Sequence, residues 1–261
     1  MQIATWNING VRARIDTALA WIAEAKPDVL CLQEIKCETE AFPTSAFEDA
    51  GYNVAVHGQK GFNGVALLSR SPIQEIKTGL DGDDSDTHSR YIEAVVSAGR
   101  SSVVRVAGIY LPNGNPIGSD KFTYKLSWMD RLKHHLQKLL SHEEMLVVAG
   151  DWNVIPQAID AKNPANWVDD ALYQPESRAK FREILNLGFT DAVRASTPEA
   201  VYTFWDYQAM SWQRNNGIRI DHLLLSPQAT DRLAGVRIDK HVRGWDKPSD
   251  HVPVIVDLAV A

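Results

Sequence analysis

Short β-branched runs recur from one end of the chain to the other: QIATWNI, VLCLQEI, YNVAVHG, GVALLSR, SVVRVAGIYLP, MLVVAGDWNVI, VYTFW, RIDHLLLS and VPVIVDLAV are examples. β-Branched and aromatic side chains suit a pleated, half-buried backbone, and Gly, Pro, Asn and Asp between the runs end each one, so they read as strands. Three helical patterns interrupt them. RIDTALAWIAEA places Ile15, Leu19 and Ile22 on one face. The segment after Asp120 repeats Phe122, Leu126, Met129, Leu132, Leu136 and Leu139 at spacings of three and four, and ESRAKFREILNLG runs to Gly188. Strands outnumber helices, and each sheet must bury a face. The expected class is therefore α+β: a four-layer αββα sandwich of two mainly antiparallel sheets flanked by helices. With no linker and no fixed-period repeat, one domain over residues 1–261 is expected, each half of the chain supplying mainly one sheet.

Several of these strands end in residues a buried strand would not choose. Asn7 and Asn9 close the first, Glu34 follows VLCLQ, Asp151 and Asn153 follow VVAG, Asp221 sits in RIDHLLL, and Asp250 and His251 stand before VPVIVDL. A carboxylate beside an apolar run is costly unless a cation, a metal or a hydrogen-bond network compensates it. Each has an ordinary structural explanation when taken alone: a turn cap for Glu34 or Asp151, an ion pair with Arg219 for Asp221. Together they form an oxygen-rich set without zinc-spaced Cys or His, which suits a hard cation such as Mg²⁺ or Mn²⁺ and so phosphate ester chemistry.

Other chemistries lack their signatures. The chain has no GxxxxGK[ST], GxSxG or HExxH, and GQKGFNG at residues 58–64 reads as a turn rather than a dinucleotide fingerprint. LDGDDSDTHS departs from a calcium loop at Asp86 and Ile92 and reads as a solvated acidic loop. The net charge of −6 gives no bulk attraction to nucleic acid, although residues 121–138 carry five Lys or Arg against one Asp. No run approaches the roughly 20 apolar residues of a membrane span, and Cys31 inside an apolar run packs as a reduced thiol. A cytoplasmic, membrane-free monomer with no obligate protein partner is expected.

In order along the chain, TWNINGVRAR, LQEIK, GYNVAVHGQKGFNGVALLS, YLPNG, GDWNV, RIDHLLLS and KPSDHVPV resemble the exonuclease III family of abasic-site DNA endonucleases, within the endonuclease, exonuclease and phosphatase superfamily. The likeness spans residue 2 to about 258. It implies an active-site Asn at Asn7, a metal-binding Glu at Glu34, a phosphate-contacting Tyr at Tyr110 with Asn113 beside it, and a base with its companion at Asp151 and Asn153. It further implies that Asp221 orients the catalytic His251 and that Asp250 is metal-associated. Asn7, Asp151 and Asn153 are also counted with the metal set, and Asn9 stands where some members have Asp. The implied reaction is Mg²⁺-dependent hydrolysis of double-stranded DNA 5′ to abasic sites or at blocked 3′ ends, with Mn²⁺ as a substitute and with 3′-5′ exonuclease action.

For substrate recognition the resemblance implies an apolar wall for a flipped abasic sugar, built from Phe204, Trp205, Ile218 and Ile220, with Trp212 available for stacking. Lys121 and Lys125 are expected to reach the phosphate backbone. Some relatives have Trp where this chain has Ile218, and Arg and Met where it has Pro116 and Gln208. Two alternatives share the scaffold: a phosphatase or phosphodiesterase acting on a small molecule or lipid headgroup, and a catalytically silent nucleic-acid-binding regulator. Tyr110 and the retained Glu34, Asp151, Asn153 and His251 count against them.

Overall fold

A computed structural model describes residues 1–99 and 102–260. Twelve strands form two six-stranded sheets. The first holds β1 (Gln2–Asn7), β2 (Val29–Gln33), β3 (Asn53–His57), β4 (Val65–Ser69), β11 (Leu233–Ile238) and β12 (Val254–Leu258) in the order β11-β12-β1-β2-β4-β3. The second holds β5 (Ile73–Thr78), β6 (Tyr91–Ala98), β7 (Ser102–Tyr110), β8 (Met145–Asp151), β9 (Thr190–Asp191) and β10 (Asp221–Leu225) in the order β5-β6-β7-β8-β10-β9. Among the described residues only β1 with β2 and β7 with β8 pair in parallel, so the sheets are mainly antiparallel, as expected.

The strands are apolar on both faces because each sheet is covered twice. Along β1, Ile3 faces the other sheet while Ala4 and Trp6 pack on α1 (Ile15–Ala25) and α2 (Thr44–Asp49). On the second sheet Val147 faces inward and Val148 packs outward on Trp128 and Leu132 of α3 (Asp120–Leu140) and Phe181 of α4 (Pro175–Leu185). The result is the four layers helix, sheet, sheet, helix. Gly108 lies where the sheets approach closely: an added Cβ there would sit 3.3 Å from Cys31 Cβ.

The division of the chain differs from expectation. Its middle, from β5 to β10, makes the second sheet, while both ends make the first, with β12 beside β1. This pairing brings the KPSDH segment next to TWNING, since antiparallel strands place the start of one against the end of the other. VYTFW forms no strand of its own; Phe204 only bridges Ile218 and His251.

Candidate active site

The period of two along a strand explains where the polar residues go. Inward-facing positions run Ile3, Thr5, Asn7 on β1 and Val147, Ala149, Asp151 on β8. On β10 they run Leu225, Leu223, Asp221, and on β7 Val104, Val106, Gly108, Tyr110. Each site residue occupies the next inward slot past the apolar core, at one common rim. The register puts Tyr110 and Asp221 on either side of Asp151.

Asn7 is fully buried and its Nδ2 donates to Glu34 Oε1 at 2.9 Å and Asp151 Oδ2 at 3.0 Å, joining the two sheets. Its Oδ1 accepts from Asn9 N at 3.0 Å. Asp151 Oδ1 accepts from Asn153 N at 2.9 Å, and Asn153 is itself held by Leu111 O (2.9 Å) and Asn113 Nδ2 (3.2 Å). Both Glu34 and Asn153 adopt left-handed backbone, at φ 49° and 46°. Such conformations cost a non-glycine residue about 1 kcal/mol or more and persist where neighbours over-determine them. Here Gly10 N fixes Glu34 O at 2.7 Å.

His251 Nδ1 donates to both oxygens of Asp221, at 3.0 and 2.9 Å, and Thr203 Oγ1 donates to Asp221 Oδ2 at 2.6 Å. The other imidazole nitrogen, Nε2, faces Asp151 Oδ2 at 3.7 Å. Burial alone would depress the His251 pKa, but the Asp221 and Asp151 carboxylates outweigh it and raise it, so an imidazolium is favoured. Burial raises Asp151 and the Asp221 and Glu34 charges add to this, against the pull of His251. Tyr110 is raised well above the usual phenol range by burial and by Glu34 and Asp151, which keeps its proton in place. Glu34 goes the other way: burial would raise it, yet Asn7 and Lys36, whose Nζ lies 2.9 Å from Oε2, lower it.

Asp151, Asp221 and His251 have polar atoms within 4.8 Å of one another, the spacing of a metal cage. Hydrogen bonding argues otherwise for Asp221, since Thr203 and His251 engage its fully buried carboxylate. The adjoining cavity of about 360 Å³ is lined by the carboxylates of Glu34, Asp151, Asp170, Asp206 and Asp250. Asp170 is engaged by Asn115 Nδ2 and Leu172 N and Asp206 by Gln208 N, whereas Glu34 and Asp151 share Asn7 Nδ2, with Asp250 beside Asn9. These last three are hard donors with surplus negative charge, and they fit a divalent cation with waters or phosphate oxygens completing its shell. Asp250 is tied to Asn9 Nδ2 at 3.0 Å. The amides of Asn7 and Asn153 brace the site, each donating from Nδ2 and accepting at Oδ1 within the protein.

Phe204 and Ile220 line this cavity together with Trp167 and Leu172, and the Phe204 ring lies 4.9 Å from that of His251. Trp205 and Ile218 are buried behind it, with Trp205 fully enclosed and its Nε1 on Asn215 Oδ1. Trp212 packs edge-on against Trp205 at 5.0 Å, leaving Tyr207 and Met210 as the exposed apolar side chains of that loop. Lys125 corrects the sequence expectation most sharply. It is buried, its Nζ donates to Asn153 O at 2.6 Å and Asn113 O at 3.1 Å, and burial lowers its pKa to about 7. It clamps the two strand-end loops and does not reach a DNA backbone. Lys121, one turn earlier, is exposed. The acidic loop also differs: Asp83 is exposed, but Asp86 is bound by Arg131 and by Tyr124 OH at 3.0 Å. Sequence reasoning passed over Lys36, Thr203 and Trp167, none of which stands out by its spacing.

A rim of buried acid, imidazole and phenol between two stacked sheets defines a hydrolytic enzyme for phosphate esters. The profile of the Endonuclease/Exonuclease/phosphatase family matches residues 4–251. Exodeoxyribonuclease III of Haemophilus influenzae is 34% identical, covering 97% of this chain and 98% of the relative. Among solved structures, a 3′ phosphatase from Neisseria bound to product DNA hairpin superposes with a TM-score of 0.95 at 36% identity, over 99% of each chain. An AP endonuclease from Archaeoglobus fulgidus gives 0.94 at 37% identity over 100% of each. The chain belongs to the exonuclease III family of hydrolytic nucleases.

Proposed function

We propose that this DNA repair nuclease incises duplex DNA on the 5′ side of abasic sites and cleans blocked 3′ ends, using Mg²⁺, with Mn²⁺ as a substitute. One observation carries the reading: a buried acid and a buried imidazole, each fixed by its own hydrogen bonds, converge on a cavity that the apolar side chains Trp167, Leu172, Phe204 and Ile220 also line. The relatives named above act on DNA, as an AP endonuclease and as a 3′ phosphatase with product DNA. Both activities need the same group at phosphorus and differ in what fits beside it.

Glu34, Asp151 and Asp250 would hold the cation, which when bound neutralises charge on the phosphate and the leaving oxygen. Asp151 takes the proton of the attacking water at Oδ2, while Asn153 N and Asn7 Nδ2 keep the carboxylate from turning. His251, protonated and oriented by Asp221, and Tyr110, with its phenol proton retained, donate to the nonbridging oxygens as charge builds there. Phe204, Ile220, Leu172 and Trp167 exclude water from the sugar side.

The test is incision of a duplex carrying one abasic site and of a duplex carrying a 3′ phosphate, with Mg²⁺ and with EDTA. Cleavage of both with Mg²⁺ alone is expected. Turnover of inositol phosphates or sphingomyelin in preference to either duplex would overturn the proposal.

A further inference from the structure

The later turns of α3 carry basic residues that the catalytic cavity does not use. Arg131, His134, His135 and Lys138 recur at spacings of three and four and so share one face of the helix. Together with Asp81 and Gly82 they line a cavity of about 260 Å³, and none of the six lines the catalytic cavity. Sites for small organic molecules begin at about 300 Å³, so this one suits an inorganic ion with its waters better than a nucleotide.

The wall opposite the helix is fixed. The loop after β5 lies against Arg131, where a Cβ added to Gly82 would meet Arg131 Cδ at 3.5 Å. Arg131 binds Asp86 of the same loop, and Tyr124 OH donates to that carboxylate at 3.0 Å. Lys77 holds Asp81 at 2.8 Å, so the carboxylate of the cavity already has its cation. Lys138 and His134 are exposed, whereas Arg131 Nε is buried and has no hydrogen-bond partner among the described residues.

His135 sets the charge of the cavity. It is only 8% exposed, and its Nε2 lies 2.8 Å from Glu93 Oε2. Tyr91, whose ring packs edge-on to the imidazole, donates its hydroxyl to the same oxygen, and Arg105 Nη1 lies 3.8 Å from Glu93 Oε1. Burial would raise the Glu93 pKa, yet His135, Tyr91 and Arg105 lower it, so the carboxylate accepts and Nε2 donates. The other ring nitrogen, Nδ1, is buried without a partner among the described residues. In the neutral ring it can only accept; in the imidazolium it donates. Glu93 and Asp81 favour the imidazolium, while Arg105, Arg131, His134 and Lys138 oppose it. An anion entering the cavity offsets those cations and gives Nδ1–H an acceptor.

We propose that this cavity binds a free tetrahedral oxyanion, phosphate or sulfate, held by Lys138, His134 and Nδ1 of a protonated His135, so that binding takes up a proton from solvent.

The probe is sulfate, whose charge is constant across the histidine range, titrated calorimetrically in EDTA in buffers of unequal ionisation enthalpy. The wild type should bind it saturably, with affinity rising as pH falls toward about 6 and with uptake approaching about one proton per sulfate at about pH 8. Inorganic phosphate should compete. Lys138→Gln, a change on an exposed side chain, should weaken binding roughly tenfold, the scale of one hydrogen bond between charged groups. His135→Gln, whose amide nitrogen can still donate to Glu93, should abolish the proton uptake, and His134→Gln should keep it. Absence of saturable sulfate binding, or binding that Lys138→Gln leaves unchanged, would overturn the site. Proton uptake that is lost in His134→Gln and kept in His135→Gln would remove His135 from it. Release of sulfate by added duplex DNA would overturn the free ion as occupant and put a strand phosphate in its place.

Discussion

Two buried ionic clusters lie two residues apart on the chain, and they are built on opposite terms. Arg219 pairs with Asp160 at 2.7 Å and Asp191 at 2.8 Å, and Arg194 closes the set on Asp160 at 2.6 Å. Two guanidinium groups meet two carboxylates, and Asp191 is lowered overall: burial works against it, but Arg219 prevails. At Asp221 the chain crosses to the catalytic rim, where Glu34, Asp151 and Asp221 share His251 and the half-exposed Lys36, and Asp151 is raised by burial. The first cluster is electrically complete and can only hold the fold. The second keeps surplus negative charge at a cavity, which stabilises nothing until a cation and a phosphate arrive.

The largest effect separates the clusters by function. Asp151→Asn should lower the rate of abasic incision by about 10³-fold or more, within the range for losing a positioned base, while leaving the chain folded. A rate within tenfold of wild type would remove Asp151 from the chemistry. Arg219→Met should do the reverse: buried Asp191 loses its guanidinium partner and Asp160 keeps only Arg194, at a cost of about 3–5 kcal/mol, seen as a lower urea midpoint. If Arg219→Met were as stable as wild type, the closed cluster would not be closed.

The third prediction concerns pH. His222 Nδ1 accepts from Arg219 at 2.9 Å and Nε2 donates to Val154 O at 3.0 Å, a pattern only the neutral ring can make. Burial, with the Arg219 charge, lowers its pKa to about 4. The unfolded chain takes up a proton that the folded ring refuses, so stability is whole above about pH 6.5 and falls as pH drops toward 4, by about 3 kcal/mol in full. In His222→Asn this part of the slope should vanish. The smallest effect belongs to Thr203→Val, which removes the hydroxyl from Asp221 Oδ2: a hydrogen bond to a charged group is worth about 1.5–3 kcal/mol. The expected outcome is a reduced kcat with KM nearly constant, because the hydroxyl orients the Asp221–His251 pair, together with a lower unfolding midpoint, because Ile220 N and Asp221 N lose the same acceptor.

Most strand positions, the three longest helices and the polar residues at strand ends were legible because each depends on local spacing, whereas VYTFW forms no strand and β5 went unread. Period two carries Ile3 and Thr5 to Asn7 without any knowledge of partners. Which strands meet was not legible: the pairing of β12 with β1 joins residues more than 240 apart, and no local pattern records it. Charge misled in α3, where Lys125 falls in a basic segment yet occupies the buried face with Trp128, Met129 and Leu132. Its ammonium is tolerated there because two loop carbonyls accept from it, and those come from distant turns. The wall of the catalytic cavity was half legible for the same reason. FWDYQ places two aromatics side by side, but only the bridges of Phe204 to Ile218 and His251 decide which one lines the catalytic cavity.

The central contrast can be read most directly from the stability of Asp151→Asn at pH 8, with and without Mg²⁺. A carboxylate whose pKa the fold raises is a burden when ionised, so removing its charge in EDTA should raise the unfolding midpoint above that of wild type. Mg²⁺ should then raise the wild type and narrow the gap. If Asp151→Asn instead unfolds earlier than wild type in EDTA, and Mg²⁺ shifts both proteins equally, the rim is as neutral as the Arg219 cluster and carries no charge reserved for a cation.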